Sequence, residues 1–175
     1  WRVVTSNQVS GKLRVVDGTQ GMALCLDYDF NGVSGYAGIQ RDLPIDYPAS
    51  IQLSASTTVS GPKVYNAITS RPGEQLIVAG YSEGSLGAEW AKRRLLANGT
   101  GPAPSQLSFV MIGSPFAGNG GIFERFPGMS VPFIVNNMGP AAPSKYDSTY
   151  YIREYDPYAD FPAYFNPVSL LNTAL

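Results

Sequence analysis

Gln75-Leu76-Ile77-Val78-Ala79-Gly80-Tyr81-Ser82-Glu83-Gly84-Ser85 is the stretch that decides the fold. Leu76 to Ala79 form a short apolar run that ends at a glycine, which reads as a strand buried on both faces. Residues 85–96 follow, rich in Ala, Leu, Glu, Lys and Arg, and these are strong helix formers. The order is strand, sharp turn, helix. A serine between glycines two positions to either side suits that turn, because bulky side chains at 80 and 84 would collide with the neighbouring strand and helix. Such a turn projects Ser82 Oγ from the sheet edge. It also aims the positive end of the helix at the same point and sets the Glu83 amide to donate to a developing oxyanion. The pentapeptide alone is a weak pattern, which a chance glycine turn can match. The strand before it and the helix after it make it a nucleophile elbow.

Working outward, Val59, Val64, Ala67 and Ile68 fall near helical spacing, and Arg71-Pro72-Gly73 supplies a stop. Asn98-Gly99 ends the helix after the elbow. Asn98-Gly99-Thr100 also matches a glycosylation acceptor, but the helix end explains it more simply. A proline-rich link at 101–105 leads to Leu107-Ser108-Phe109-Val110-Met111-Ile112-Gly113, a second buried strand. This β, α, β order predicts a mostly parallel sheet with helices on both faces. Upstream, residues 13–16 read as a strand feeding Asp17-Gly18-Thr19-Gln20-Gly21, residues 1–12 show no clear period, and one strand is expected around 39–45 in a loop-like stretch. Downstream, residues 114–128 read as a glycine- and proline-bearing surface loop, and residues 150–155 as the last strand. A final helix is expected from about Val168. Its apolar pattern of Val168, Leu170, Leu171, Ala174 and Leu175 has no capping signal, so the polypeptide is expected to continue. Glu89, Lys92, Arg93 and Arg94 read as the solvated side of the helix after the elbow.

With 175 residues and 44% apolar content, the chain is expected to form one domain over residues 1–175. Twelve basic residues against 13 acidic ones give no electrostatic footprint for nucleic acid. No apolar run approaches the roughly 18 residues of a membrane span, and the first residues lack signal-peptide features, so the residues given are expected to be soluble. Cys25 is the single cysteine, which excludes an internal disulfide and a thiolate metal cluster. Its neighbours Leu24, Leu26 and Asp27 offer neither a base nor a positive environment, so it reads as a structural thiol. The chain contains no histidine, the commonest general base near neutral pH and the commonest metal ligand. No metal or cofactor is expected. The 11 tyrosines and eight phenylalanines could line an acyl pocket, although aromatic residues more often fill a core or its rim.

Two further roles need candidates. A second oxyanion donor is expected on the loop after an earlier strand, where Gly18-Thr19-Gln20-Gly21 stands; a plain glycine turn reads equally well. A triad carboxylate is expected in the loop after a late strand, and Asp156 and Asp160 both qualify. Either could instead serve as an ordinary turn residue.

From residue 75 onward the chain resembles the PE-PPE domain family of mycobacteria, serine α/β-hydrolases related to cutinases and to mycobacteriophage esterases. The resemblance rests on Val78-Ala79-Gly80-Tyr81-Ser82-Glu83-Gly84, on residues 106–115 and 119–128, and on Arg153-Glu154-Tyr155-Asp156-Pro157-Tyr158-Ala159-Asp160-Phe161-Pro162. It implies Ser82 as nucleophile, Asp160 as the acid with Asp156 in reserve, and Thr19, beside Gln20, as the oxyanion-loop residue. Glu83 stands where relatives often carry glutamine, so a negative charge lies near the oxyanion. In the family the catalytic histidine follows the Asp-Phe-Pro segment by a few tens of residues, and that histidine-bearing segment is absent from these 175 residues. The resemblance thus implies an ester hydrolase acting on acyl esters or lipids of a mycobacterial-type envelope, secreted or held in the cell envelope. The rival reading is a non-catalytic binding or structural module, such as a virion or envelope component, that kept the fold and lost the chemistry.

Overall fold

The computed structural model describes residues 2–5, 41–154, 156–163 and 167. Among them five strands form one parallel sheet: β1 (Arg2–Thr5), β2 (Arg41–Pro44), β3 (Leu76–Tyr81), β4 (Leu107–Ile112) and β5 (Asp147–Tyr151), in the spatial order β2-β1-β3-β4-β5. The helices are α1 (Leu53–Thr69), α2 (Glu83–Asn98) and the single turn α3 (Ile122–Arg125). β3 is central and pairs with β1 and β4, from Leu76 opposite Leu107 to Tyr81 opposite Ile112. Both of its faces must therefore be apolar. Leu76 and Val78 join Phe109, Met111, Val64, Ile68, Ala88, Ala91 and Leu95 on the side covered by α1 and α2, while Ile77 and Ala79 pack with Val110 on the other. This is an open parallel sheet of the α/β class.

α1 and α2 pack closely because their facing residues are small. A Cβ on Gly61 would lie 2.6 Å from the Trp90 ring, and one on Gly87 would lie 2.5 Å from Ser60 Oγ. Ser56, Ser60 and Gly61 complete the buried stripe of α1, which the apolar spacing of Val64 and Ile68 only half revealed. Gly99 ends α2 in the left-handed conformation at φ 63°, as its place after Asn98 predicts.

Several expectations need correction. β5 begins three residues earlier than the strand expected at 150–155 and ends at Tyr151. It is an edge strand, and its exposed Asp147 and Thr149 break the apolar alternation that marks a strand in sequence. The loop expected at 114–128 contains α3, which buries Phe123 against Phe116. β1 lies where no period was legible, since four residues are too few to display one. Glu89 and Lys92 are not solvated. Both are fully buried and ion-paired at 2.6 Å, with the ammonium 5.7 Å from the centre of the Phe109 ring. Glu89 also accepts from Arg93 Nε at 2.9 Å and from the Ala142 amide at 2.7 Å, and Arg93 donates onward to the carbonyls of Met138 and Pro140. Only Arg94 of the four is exposed. The strand expected at 13–16 and the helix expected from Val168 lie outside the described residues.

Candidate active site

The site is assembled where β3, β4 and β5 end, the edge of a parallel sheet at which ligands bind. Ser82 N–H donates to the Ile112 carbonyl at 2.8 Å and Gly113 N–H donates to the Tyr151 carbonyl at 2.9 Å, so the three strand ends stay in register one step past the ladder. The chain must then turn sharply into α2. It does so at Ser82 itself, with φ 48° and ψ −116°, a conformation that costs a non-glycine residue about 1–3 kcal/mol. Gly80 makes the turn possible: a Cβ there would sit 2.8 Å from both the Gly84 carbonyl oxygen and Ser85 Cα. Ser85 fixes the turn from inside the helix, donating its amide at 3.0 Å and its hydroxyl at 2.6 Å to the Ser82 carbonyl. A serine at a helix N-cap ordinarily bonds the first amides of the helix. Ser82 does not, and its side chain is half-buried rather than sealed.

Glu83 begins α2 and its side chain is buried. The loop after β5 supplies the two carboxylates considered above. Asp156 Oδ1 accepts the amides of Tyr158 at 2.8 Å and Ala159 at 3.2 Å, which closes a tight turn. Its Oδ2 and the Tyr81 ring each lie 3.3 Å from the point where a Gly113 Cβ would stand. Gly113, at φ 56°, leaves room for that approach. Asp160 instead faces the β4–α3 loop, with Oδ1 2.7 Å from the position of a Gly120 Cβ. Two backbone bonds lash the loops together, from Phe161 N–H to the Gly120 carbonyl at 2.7 Å and from Ile122 N–H to the Tyr158 carbonyl at 2.9 Å. Asp156 and the Tyr81 ring therefore share the space at Gly113, just past the end of β4, and Asp160 stands at Gly120 in the neighbouring loop.

Tyr158 was not singled out from the sequence. Partial burial, then the charges of Glu83 and Asp156, push its phenol above the ordinary tyrosine value, so it shares one electrostatic neighbourhood with both carboxylates. Its only sequence signal is its place two residues after a candidate acid. Thr19, Gln20 and Cys25 lie outside the described residues. Among the described residues no group of three or more His, Cys, Asp or Glu side chains could hold a metal ion. An open groove lined by Ile45, Asp46, Lys63, Asn66, Ala67, Ser70 and Arg71 includes none of these site residues.

Comparison with known proteins gives this geometry a family. Over 102 residues the chain is 40% identical to a protein named esterase PE16 from Mycobacterium tuberculosis, a match covering 57% of this chain and 19% of that protein. Over 88 residues it is 36% identical to SL1278 acyltransferase Chp1 of the same organism, covering 50% of this chain and 21% of that one. The chain thus spans about a fifth of the length of these relatives. A solved structure of an acetyl xylan esterase, as an iodinated complex, is 18% identical with a TM-score of 0.48, covering 96% of this chain and 87% of that one. The PE-PPE domain matches residues 43–175, which hold every element from α1 to β5, and the chain belongs to the PE-PPE domain family.

Proposed function

We propose that this domain carries the nucleophile of a serine acyl-transfer enzyme that opens acyl esters through an acyl-enzyme on Ser82. The observation that carries the reading is the strained backbone of Ser82 at the carboxyl end of the central strand, with its hydroxyl not spent on capping α2. Ser82 Oγ attacks the ester carbonyl carbon while its proton passes to a general base, and the oxyanion accepts from the Glu83 amide. Collapse expels the alcohol, which takes that proton. The acyl group then passes to water in hydrolysis or to a second alcohol in transfer, and both outcomes are in keeping with relatives named as an esterase and an acyltransferase. The position of Asp156 beside Tyr81 and Gly113 supports it over Asp160 as the carboxylate that orients the base. Thr19 and Gln20 keep the role of second oxyanion donor that the family resemblance implies. These 175 residues hold no histidine, so the base in this reading comes from outside them. Lipid esters of a mycobacterial-type envelope are the proposed substrates, and the envelope or its exterior the proposed location.

The missing histidine also favours a second reading, a binding module that retained the elbow without turnover. A fluorophosphonate probe, followed by mass measurement, separates the two. On the protein from its native source, the catalytic reading expects one adduct, abolished by Ser82→Ala, and ester cleavage that falls by roughly four to six powers of ten in that variant. Asp156→Asn should cost far more activity than Asp160→Asn. Absence of both adduct and turnover would sink the catalytic reading and leave the module.

A further inference from the structure

Ser85 is fully buried in the first turn of α2 and spends its hydroxyl on the Ser82 carbonyl, at 2.6 Å. Its amide reaches the same oxygen at 3.0 Å, so one residue engages both lone pairs of that carbonyl. On the other side of the nucleophile, Ser82 N–H donates to the Ile112 carbonyl at 2.8 Å. The peptide planes before and after Ser82 are thus each tied, one to the sheet and one to the helix.

A hydroxyl bonded to a carbonyl one turn back is an ordinary way for a buried helix side chain to find an acceptor. In α1, Thr57 donates to the Leu53 carbonyl at 2.7 Å and Thr69 to the Tyr65 carbonyl at 3.0 Å, and both bonds stay within that helix. The peptide that Ser85 holds differs in two respects. It leaves Ser82 at ψ −116°, so the helical repeat does not set its orientation. It is also planar and trans, so its polar groups point in opposite directions, the Ser82 carbonyl towards Ser85 and the Glu83 N–H away from the helix. Rotation about Ser82 ψ is a direct way to relieve a strained backbone, and it would swing the Glu83 N–H together with the carbonyl. The two bonds from Ser85 oppose that rotation.

We propose that Ser85 is a positioning residue for the oxyanion donor: by pinning the Ser82 carbonyl it aims the Glu83 N–H at the ester oxygen as that oxygen becomes negative. This role rests on the acyl-transfer reading of Ser82. The Ser85 hydroxyl acts only through the peptide plane, so its effect belongs to the transition state and not to substrate binding.

The test compares the full-length protein, expressed in its native host, with Ser85→Ala. Alanine keeps the amide and favours the helix, so the turn still forms. Thr57→Val is the control, removing a buried helix hydroxyl away from the site. Outright loss of an oxyanion donor lowers kcat by roughly 10²–10³, so loss of its aim should cost less, about tenfold in kcat on a short acyl ester with KM unchanged. Each protein is then labelled with a fluorophosphonate, whose phosphorus bonds Ser82 Oγ as fluoride leaves and whose phosphoryl oxygen takes the place of the oxyanion. The phosphorus NMR resonance of the adduct should move in Ser85→Ala and stay in place in Thr57→Val. Where the wild type labels and turns over, an unchanged kcat or an unmoved resonance in Ser85→Ala would overturn the proposal and leave the acyl-transfer reading standing. So would a rise in KM at constant kcat, the mark of a residue that shapes substrate binding, or an equal loss of kcat in Thr57→Val. A wild-type protein with neither adduct nor turnover would remove the acyl-transfer reading itself and this role with it.

Discussion

The start and the middle of α2 are built on opposite principles. At Ser82 the chain stores backbone strain and relies on a neighbour with no side chain, Gly80, to clear the space beneath. Two turns later, Glu89, Lys92 and Arg93 fill the interface with long charged side chains, two of them fully buried. The first region holds one side chain at an edge where it can react. The second fastens α2 to the 138–142 segment through two hydrogen bonds that Arg93 donates and one that Glu89 accepts. One helix thus carries both a destabilised site and the anchor that opposes it, and cutting either part should show which holds the other.

The largest effect is expected at the anchor. Glu89→Leu leaves the Lys92 ammonium buried without its carboxylate and strips Arg93 Nε and the Ala142 amide of their acceptor, at a cost of about 3–5 kcal/mol in urea unfolding. Glu89→Leu combined with Lys92→Met removes both charges and should recover most of that loss. If the double variant is no more stable than the single one, the buried ammonium is not the source of the cost. Next comes Gly80→Ala, whose new methyl would meet backbone atoms at 2.8 Å that cannot rotate away. About 2 kcal/mol of destabilisation is expected from unfolding curves, and a loss near zero would show that the turn can relax.

The same contrast explains what could be read from the sequence. The elbow was legible because its cause is local: a buried strand, a serine flanked by glycines and a run of helix formers all lie within about 20 residues. The anchor was not, because charged residues on a helix are ordinarily solvated. A signal did exist, since Lys92 lies four residues after Ala88 and three before Leu95, squarely on the buried stripe. The segment that receives the anchor, however, lies some 45 residues downstream. Asp156 and Asp160 sit in one turn and were equally eligible on composition. The structure sets Asp156 beside Gly113 and Asp160 beside Gly120, placements that depend on loops some 40 residues upstream and carry no local signal. β1 and the polar edge strand β5 were too short or too exposed to carry a period.

A smaller effect, opposite in sign, is expected at Ser82. Ser82→Gly relieves a conformation that serine tolerates poorly and should raise stability by about 1 kcal/mol after the added unfolded-state entropy of glycine is subtracted. Ser82→Ala keeps the Cβ and should gain nothing. A glycine variant less stable than the alanine one would mean that φ 48° carries no strain here, and equal stability that the strain only matches the unfolded-state entropy of glycine.

The smallest effect reports on the anchor from outside. Tyr150 on β5 has its phenol pushed up to about 12, first by burial and then by the Glu89 carboxylate, with Arg93 pulling the other way. Between pH 10 and 12 the unfolded chain therefore loses this proton while the folded protein keeps it, so folding stability falls as pH rises through that window and is fully present below it. Tyrosinate absorbance, taken as the difference between wild type and Tyr150→Phe, should show this late titration. In the Glu89→Leu, Lys92→Met background the anion is gone and Arg93 remains, so the titration should move down in pH but stay above the ordinary tyrosine value, because burial is the larger cause. No movement would mean that Glu89 does not reach Tyr150 electrostatically, and the anchor would then end at the 138–142 segment instead of extending to the sheet edge.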